Sequence, residues 1–131
     1  MRTISSIEEL NIPLKHQEHI LKFIDNVADV PFINIISRVI LFGSCAREEV
    51  TPYSDIDIFI TTTRDMDLQD EFFLMDDCLP PYVVGEYVST DILVQPESIF
   101  NAHINSFGTV QKQVNKYGVD LSGLLRKRTR A

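Results

Sequence analysis

LFGSCAREEVTPYSDIDIFI, running from Leu41 to Ile60, joins a Gly43-Ser44 turn to two aspartates that open a strongly apolar segment. In an extended strand successive side chains alternate, so Asp55 and Asp57 project from one face while Ile56, Ile58 and Ile60 take the other. Two carboxylates spaced about 7 Å along a strand have no structural need of each other. Drawn within about 4 Å they would repel by roughly 4 kcal/mol at an effective dielectric of 20. A divalent cation removes that repulsion. Carboxylates with room beside them for water and phosphate oxygens are what Mg²⁺ prefers over an all-protein cage.

Working outward, the chain reads as alternating helices and strands. Residues 13–29 form an amphipathic helix opened by Pro13, with Ile20, Leu21, Ile24, Val27 and Ala28 as its stripe and Pro31 as its stop. A β-branched run over 35–42 predicts the strand that leads into Gly43. A short helix follows from Ser44 to about Glu49, then a loop over 51–54 and a second strand over 55–61. Met66, Leu68, Phe72, Phe73 and Met75 among acids predict a helix over 66–78, broken by Pro80-Pro81. Residues 82–94 read as a strand, with Asp91 and Leu93 on one face and Ile92 and Val94 on the other. Helices are expected near 96–104 and 106–117, stopped by Gly118, and the basic end 126–131 reads as a frayed, solvated tail. These elements predict one α/β domain over 1–131: a small mixed sheet carrying aspartates on one face, with helices packed on the other.

Composition narrows the function classes. A chain of 131 residues, 44% of them hydrophobic, suits one domain with its own core. A net charge of −7 argues against a basic nucleic-acid footprint, yet leaves room for a nucleotide whose phosphates are matched by bound cations. Cys45 and Cys78, alone and far apart, make neither a disulfide framework nor a zinc knuckle. Neither a secretory leader nor a membrane span is read, so a cytoplasmic protein is the plain expectation. His16, His19 and His103 form no metal spacing, and the pair on the first helix reads as surface residues.

The Gly43-Ser44 turn, ten intervening residues and the Asp55-x-Asp57 pair resemble the signature of the DNA polymerase β-like nucleotidyltransferase superfamily. The fuller string from Leu41 to Ile60 resembles its small bacterial branch, the minimal nucleotidyltransferases that pair with HEPN-type toxins. The match is tight over residues 37–61 and looser elsewhere. The resemblance implies a nucleoside triphosphate, ATP by preference, bound at Gly43 and Ser44. It implies two Mg²⁺ ions, or Mn²⁺, on three carboxylates and transfer of a nucleoside monophosphate to a hydroxyl. Asp91 stands where the family draws its third carboxylate from a neighbouring strand. Charge in that apolar run is expensive to bury unpaired, which agrees with such a role. Arg47 is expected on phosphate or bracing an acid, and Ser54, grouped with the nucleotide-binding residues, capping the loop or orienting the carboxylate beside it. The family continues Ala-Arg-Gly where this chain has Ala46-Arg47-Glu48, which adds a negative charge near the triphosphate and changes the loop.

A chain this short is expected to lack the helical substrate domain that larger relatives carry. A HEPN-type partner or a homodimer is therefore expected to complete the site, and an antitoxin role follows by resemblance. The alternative reading is a nucleotide-binding or partner-neutralising subunit that keeps the fold and turns over poorly.

Overall fold

The computed structural model describes residues 1–129. In chain order its elements are β1 (Arg2–Thr3), α1 (Leu14–Asp29), β2 (Ile36–Phe42), α2 (Gly43–Ala46), β3 (Ile56–Thr62), α3 (Leu68–Cys78), β4 (Thr90–Pro96), α4 (Glu97–His103), α5 (Val110–Tyr117), β5 (Val119–Asp120) and α6 (Ser122–Thr129). The sheet order is β1-β5-β2-β3-β4. β2 runs antiparallel to β3 and to β5, whereas β4 lies parallel to β3, reached through the α3 crossover. The mixed α/β class expected from the sequence is the class observed.

β3 is an interior strand between β2 and β4, and its apolar residues are buried on both faces. On one face Ile56, Ile58 and Ile60 meet Val39 and Leu41 of β2 and the α1 stripe of Ile20, Phe23, Ile24 and Val27. On the other, Phe59 and Ile40 are covered by Phe100 of α4 and Val114 of α5. Helices thus lie on both faces, not one. The reason is Phe59: it shares the face of Asp57, and a buried aromatic two residues along the strand requires a cover. α4 and α5 supply it, and they leave Asp57 half-buried and Asp91 exposed.

Several boundaries depart from the sequence reading. β4 begins at Thr90, not 82, because its register with β3 starts at Ile56↔Thr90 and β3 offers no earlier partner. Residues 82–88 turn instead: Glu86 and Tyr87 N–H both donate to the Val83 carbonyl, and Gly85 has φ +83°. α5 starts at Val110 because Gly108 breaks the chain at φ +77° and Thr109 caps the helix by accepting from Lys112 N–H. The basic end is not a frayed tail as far as Thr129. Leu124 and Leu125 bury into the core, Arg128 pairs with Asp25, and Lys127 donates to the Ser5 carbonyl. Arg130 and Ala131 lie outside the described residues. Among the described residues no helix is long and apolar enough to cross a membrane.

Candidate active site

Three strand ends meet at the aspartates. Phe42, the last residue of β2, is the register partner of Asp57 on β3, and Asp57 is the partner of Asp91 on β4. Partners on neighbouring strands point to the same face, about 4.8 Å apart. Asp57 and Asp91 are therefore neighbours across the sheet, as strand alternation predicts. Asp55 precedes β3 and lies outside the ladder, yet close enough to act on Asp57. Burial pushes the Asp57 carboxyl above its ordinary value, and the charges of Asp91 and then Asp55 push it further, while Arg47 acts in the opposite sense.

Gly43 has a direct structural reason. Its φ is +72°, and a Cβ placed there would come within 2.3 Å of Asp57 Oδ2. The backbone of the turn is thus packed against the carboxylate, which only glycine allows. Ser44 is half-buried in α2 just beyond. Arg47 is exposed, pairs with Glu49 at 3.4 Å, and projects its charge toward Asp57. Glu48 takes φ +57°, the left-handed conformation in which glycine is at ease. Its carboxylate accepts from Arg2 at 2.9 Å, and a backbone hydrogen bond from Asn11 also lowers its pKa. The departure from Ala-Arg-Gly therefore keeps a glycine-like backbone and ties the loop to the N-terminal segment.

The entry to β3 is held from four sides. Ser54 Oγ accepts from Thr51 N–H at 2.9 Å and closes the loop. The Ser54 carbonyl accepts from His16 Nε2 at 2.8 Å, the Asp55 carbonyl from Cys45 Sγ at 3.5 Å, and Ser89 O from Ile56 N–H at 2.8 Å. Burial, with Asp57 and Asp55 nearby, raises the Cys45 thiol to about 11, so it acts here as a donor and not as a nucleophile.

His16 was missed from the sequence. It reads there as one of a surface pair, but it is fully buried, as is nearly all of His19. Because its partner is a carbonyl, Nε2 must carry the hydrogen. The signal was available: His16, Ile20, Ile24 and Val27 follow helical spacing, so the apolar stripe of α1 runs back to His16. His19 meets the Tyr87 ring edge-on at 5.7 Å, and burial, with Lys22 and His16, lowers its pKa.

Among the described residues no three His, Cys, Asp or Glu side chains already form a metal-holding group. The ladder explains this, since only Asp57 and Asp91 are register partners. The donors it does bring together are hard carboxylate oxygens, one with a raised pKa, beside a turn that leaves no side chain in the way. That set fits a hard divalent cation completing its shell with water and substrate oxygens, and it does not suit a soft metal.

Comparison with known proteins agrees. A family model described as "Nucleotidyltransferase domain" matches residues 20–121. The chain belongs to the nucleotidyltransferase domain family. The matched span runs from the α1 core residues through the aspartates to β5, so it includes every element that builds the site except the start of α1. The minimal-nucleotidyltransferase resemblance fits this family, whose members generally use divalent metal ions. A protein of Methanocaldococcus jannaschii named "Putative protein adenylyltransferase" is 32% identical over 90 residues, covering 69% of this chain and 84% of its own. A solved structure described as "a putative nucleotidyltransferase from Sulfolobus solfataricus" covers 70% of this chain and 82% of its own, at 17% identity and a TM-score of 0.44.

Proposed function

We propose that this nucleotidyltransferase transfers AMP from ATP to a hydroxyl on a protein acceptor, in a reaction that needs Mg²⁺ or Mn²⁺. The observation that carries the reading is the Asp57–Asp91 register pair with the Gly43 backbone packed on the Asp57 carboxylate. A protein kept only for its fold has no reason to hold like charges side by side, where one of them is already pushed up in pKa by burial and then by the others. The matched relative named for protein adenylylation supports the choice of nucleotide and acceptor class.

Asp55, Asp57 and Asp91 would hold the metal, which when bound neutralises the carboxylates and the triphosphate and stabilises charge on the attacking and leaving oxygens. The acceptor oxygen attacks the α-phosphorus of ATP. A new O–P bond forms, the bond from α-phosphorus to the bridging oxygen breaks, and pyrophosphate leaves with the electron pair. Asp91, on the outermost strand, receives the acceptor proton. Gly43 and Ser44 lie on the β2 side and receive the phosphates, with Arg47 supplying positive charge from solvent. Ser54 and His16 touch neither substrate. They hold the backbone from which Asp55 and Asp57 project, so most of the catalysis rests on positioning and fixed charge. A HEPN-type toxin is the acceptor that the sequence resemblance favours, which would make this chain an antitoxin.

Two measurements test the reading. Calorimetry should show tight ATP binding with Mg²⁺ and weak binding in EDTA; equal affinity in both overturns the metal site. With α-labelled ATP and a co-purified partner, the wild type should transfer label and Asp57→Asn should not. A folded wild type that neutralises its partner without nucleotide and never labels it would establish the binding-subunit alternative.

A further inference from the structure

Beyond the carboxylates, a cleft between α3 and β4 is left unexplained. It has a volume of about 270 Å³ and is lined by Phe72, Met75, Leu79 and Ile92, with Thr90, Asp76 and Asp91 at its polar edge. Asp91 thus belongs to both the carboxylate group and this cleft. The volume falls below the roughly 300–1,000 Å³ of typical small-molecule sites, so it suits one anchoring side chain better than a whole nucleoside. β4 is an edge strand, paired with β3 alone. Phe72 in its lining is 63% exposed, and the segment that links α3 to β4 exposes Tyr82 and Val84. The stretch from Asp65 to Asp91 is also strongly acidic, with Lys22 of α1 paired to Glu86 at 3.7 Å. It carries eight carboxylates and neither Lys nor Arg.

We infer that the α3–β4 cleft is the docking surface for the protein acceptor, and that it takes a segment with an apolar anchor flanked by Lys or Arg. This rests on the transferase reading above for the statement that the docked segment is modified. The topology chooses the side. Gly43 and Ser44 stand at the β2 side of Asp57 and Asp91 at the β4 side, and an in-line displacement brings the incoming hydroxyl from the side opposite the departing pyrophosphate. A segment anchored in the cleft delivers its hydroxyl at Asp91. Charge chooses the partner. An acidic rim repels an acidic or phosphorylated segment and steers a basic one toward the site. The apolar anchor supplies the affinity that exposed ion pairs do not.

The test uses the full chain and a peptide array in which a Tyr or Ser lies beside Leu or Gly and is flanked by Lys/Arg or by Glu. Binding is read by fluorescence anisotropy with and without Mg²⁺-ATP, and the nucleotide by calorimetry. The basic, Leu-containing peptides should bind best. Phe72→Ala, and separately Asp76→Lys with Asp77→Lys, should each weaken that binding about tenfold. Mg²⁺-ATP affinity should not change, and Glu8→Lys, in the turn beside α6, should have no effect on either. Equal binding of acidic and basic peptides, or no binding, overturns the inference, as does a Glu8→Lys loss matching that of Asp76→Lys with Asp77→Lys. Loss of ATP affinity in Phe72→Ala would make the cleft a nucleotide pocket. A dimer in gel filtration that Phe72→Ala dissolves would give the face to a second copy. Failure of the wild type to bind Mg²⁺-ATP would sink the proposed reaction and leave the peptide result to stand or fall by itself.

Discussion

The stretch from Ile36 to Thr62 and the stretch from Asp65 to Ser89 are built on opposite terms. In the first, Val39, Ile40, Leu41, Ile56, Ile58, Phe59 and Ile60 are all buried, and the loop between the strands is tied down by His16, Cys45, Ser54 and Ser89. In the second, α3 buries only Leu74 and Cys78 and turns Leu68, Phe72 and Phe73 to solvent. The lesson is a division of labour. Fixed charge works when its groups cannot move, so the half proposed to meet phosphate and cation is over-determined. A surface that must accept another protein keeps apolar area exposed, and the fold does not depend on it.

The sharpest way to break the contrast is inside the first region. Asp57→Asn should lower transfer activity by at least about a hundredfold, since the charge it removes underlies several kcal/mol of stabilisation. It should not destabilise the metal-free protein. The folded pKa of Asp57 lies above its unfolded value, so the native state holds that proton more tightly and the ionised form weakens the fold. Urea titrations in EDTA should therefore show the variant more stable than wild type at neutral pH. The gap should close as pH falls through the raised pKa toward the ordinary aspartate value. A gap that widens on acidification would mean that Asp57 is stabilised as an anion.

Gly43→Ala should be nearly as damaging, by a different route. The left-handed backbone costs a β-carbon about 1–2 kcal/mol, and the added atom must displace Asp57 Oδ2. Thermal unfolding should show a loss of about 2 kcal/mol together with reduced Mg²⁺-ATP affinity. An active, fully stable Gly43→Ala protein would show that the turn does not press on the carboxylate.

His16→Ala should cost about 1–3 kcal/mol for the orphaned Ser54 carbonyl, a loss that chemical denaturation would read. If His16 positions the aspartates, ATP turnover should fall more than the affinity for acceptor peptide does, and His16→Gln should recover part of it. Equal falls in both would reduce His16 to a core residue. In the second region the same kind of truncation should hardly register. Phe72→Ala, at an exposed position, should leave stability within about 0.5 kcal/mol of wild type. A larger loss would mean that α3 is part of the core after all.

The smallest effect is expected at Glu48. Glu48→Gly relaxes the left-handed backbone but removes the exposed contact with Arg2, and the two act in opposite directions. The melting temperature should move less than for any variant of the first region. A large drop would make the Arg2 tie a structural clamp.

Much of this was legible because the decisive residues are local. The Gly-Ser turn, the Asp-x-Asp pair and the runs that became β2 and β3 fall within 27 residues, Ile36 to Thr62, and period-two alternation is enough to place Asp57 opposite the isoleucines. Asp91 was legible as a charge out of place in an apolar strand. The two-residue strands β1 and β5 carry too few residues to show any period, and the basic residues of α6 mask the Leu124 and Leu125 that bury it.

By itself the sequence determined the chemistry on offer: acids in a set pattern, a glycine turn before them, and apolar strands to carry both. Tertiary structure alone decided which groups meet. It made Asp57 and Asp91 partners while leaving Asp55 outside the ladder, turned His16 from an apparent surface residue into the support of Ser54, and opened the cleft at Asp91. The physical reason is that alternation and helical spacing assign faces within one element, whereas register, crossover and burial are settled only when elements from distant parts of the chain compete for the same partners.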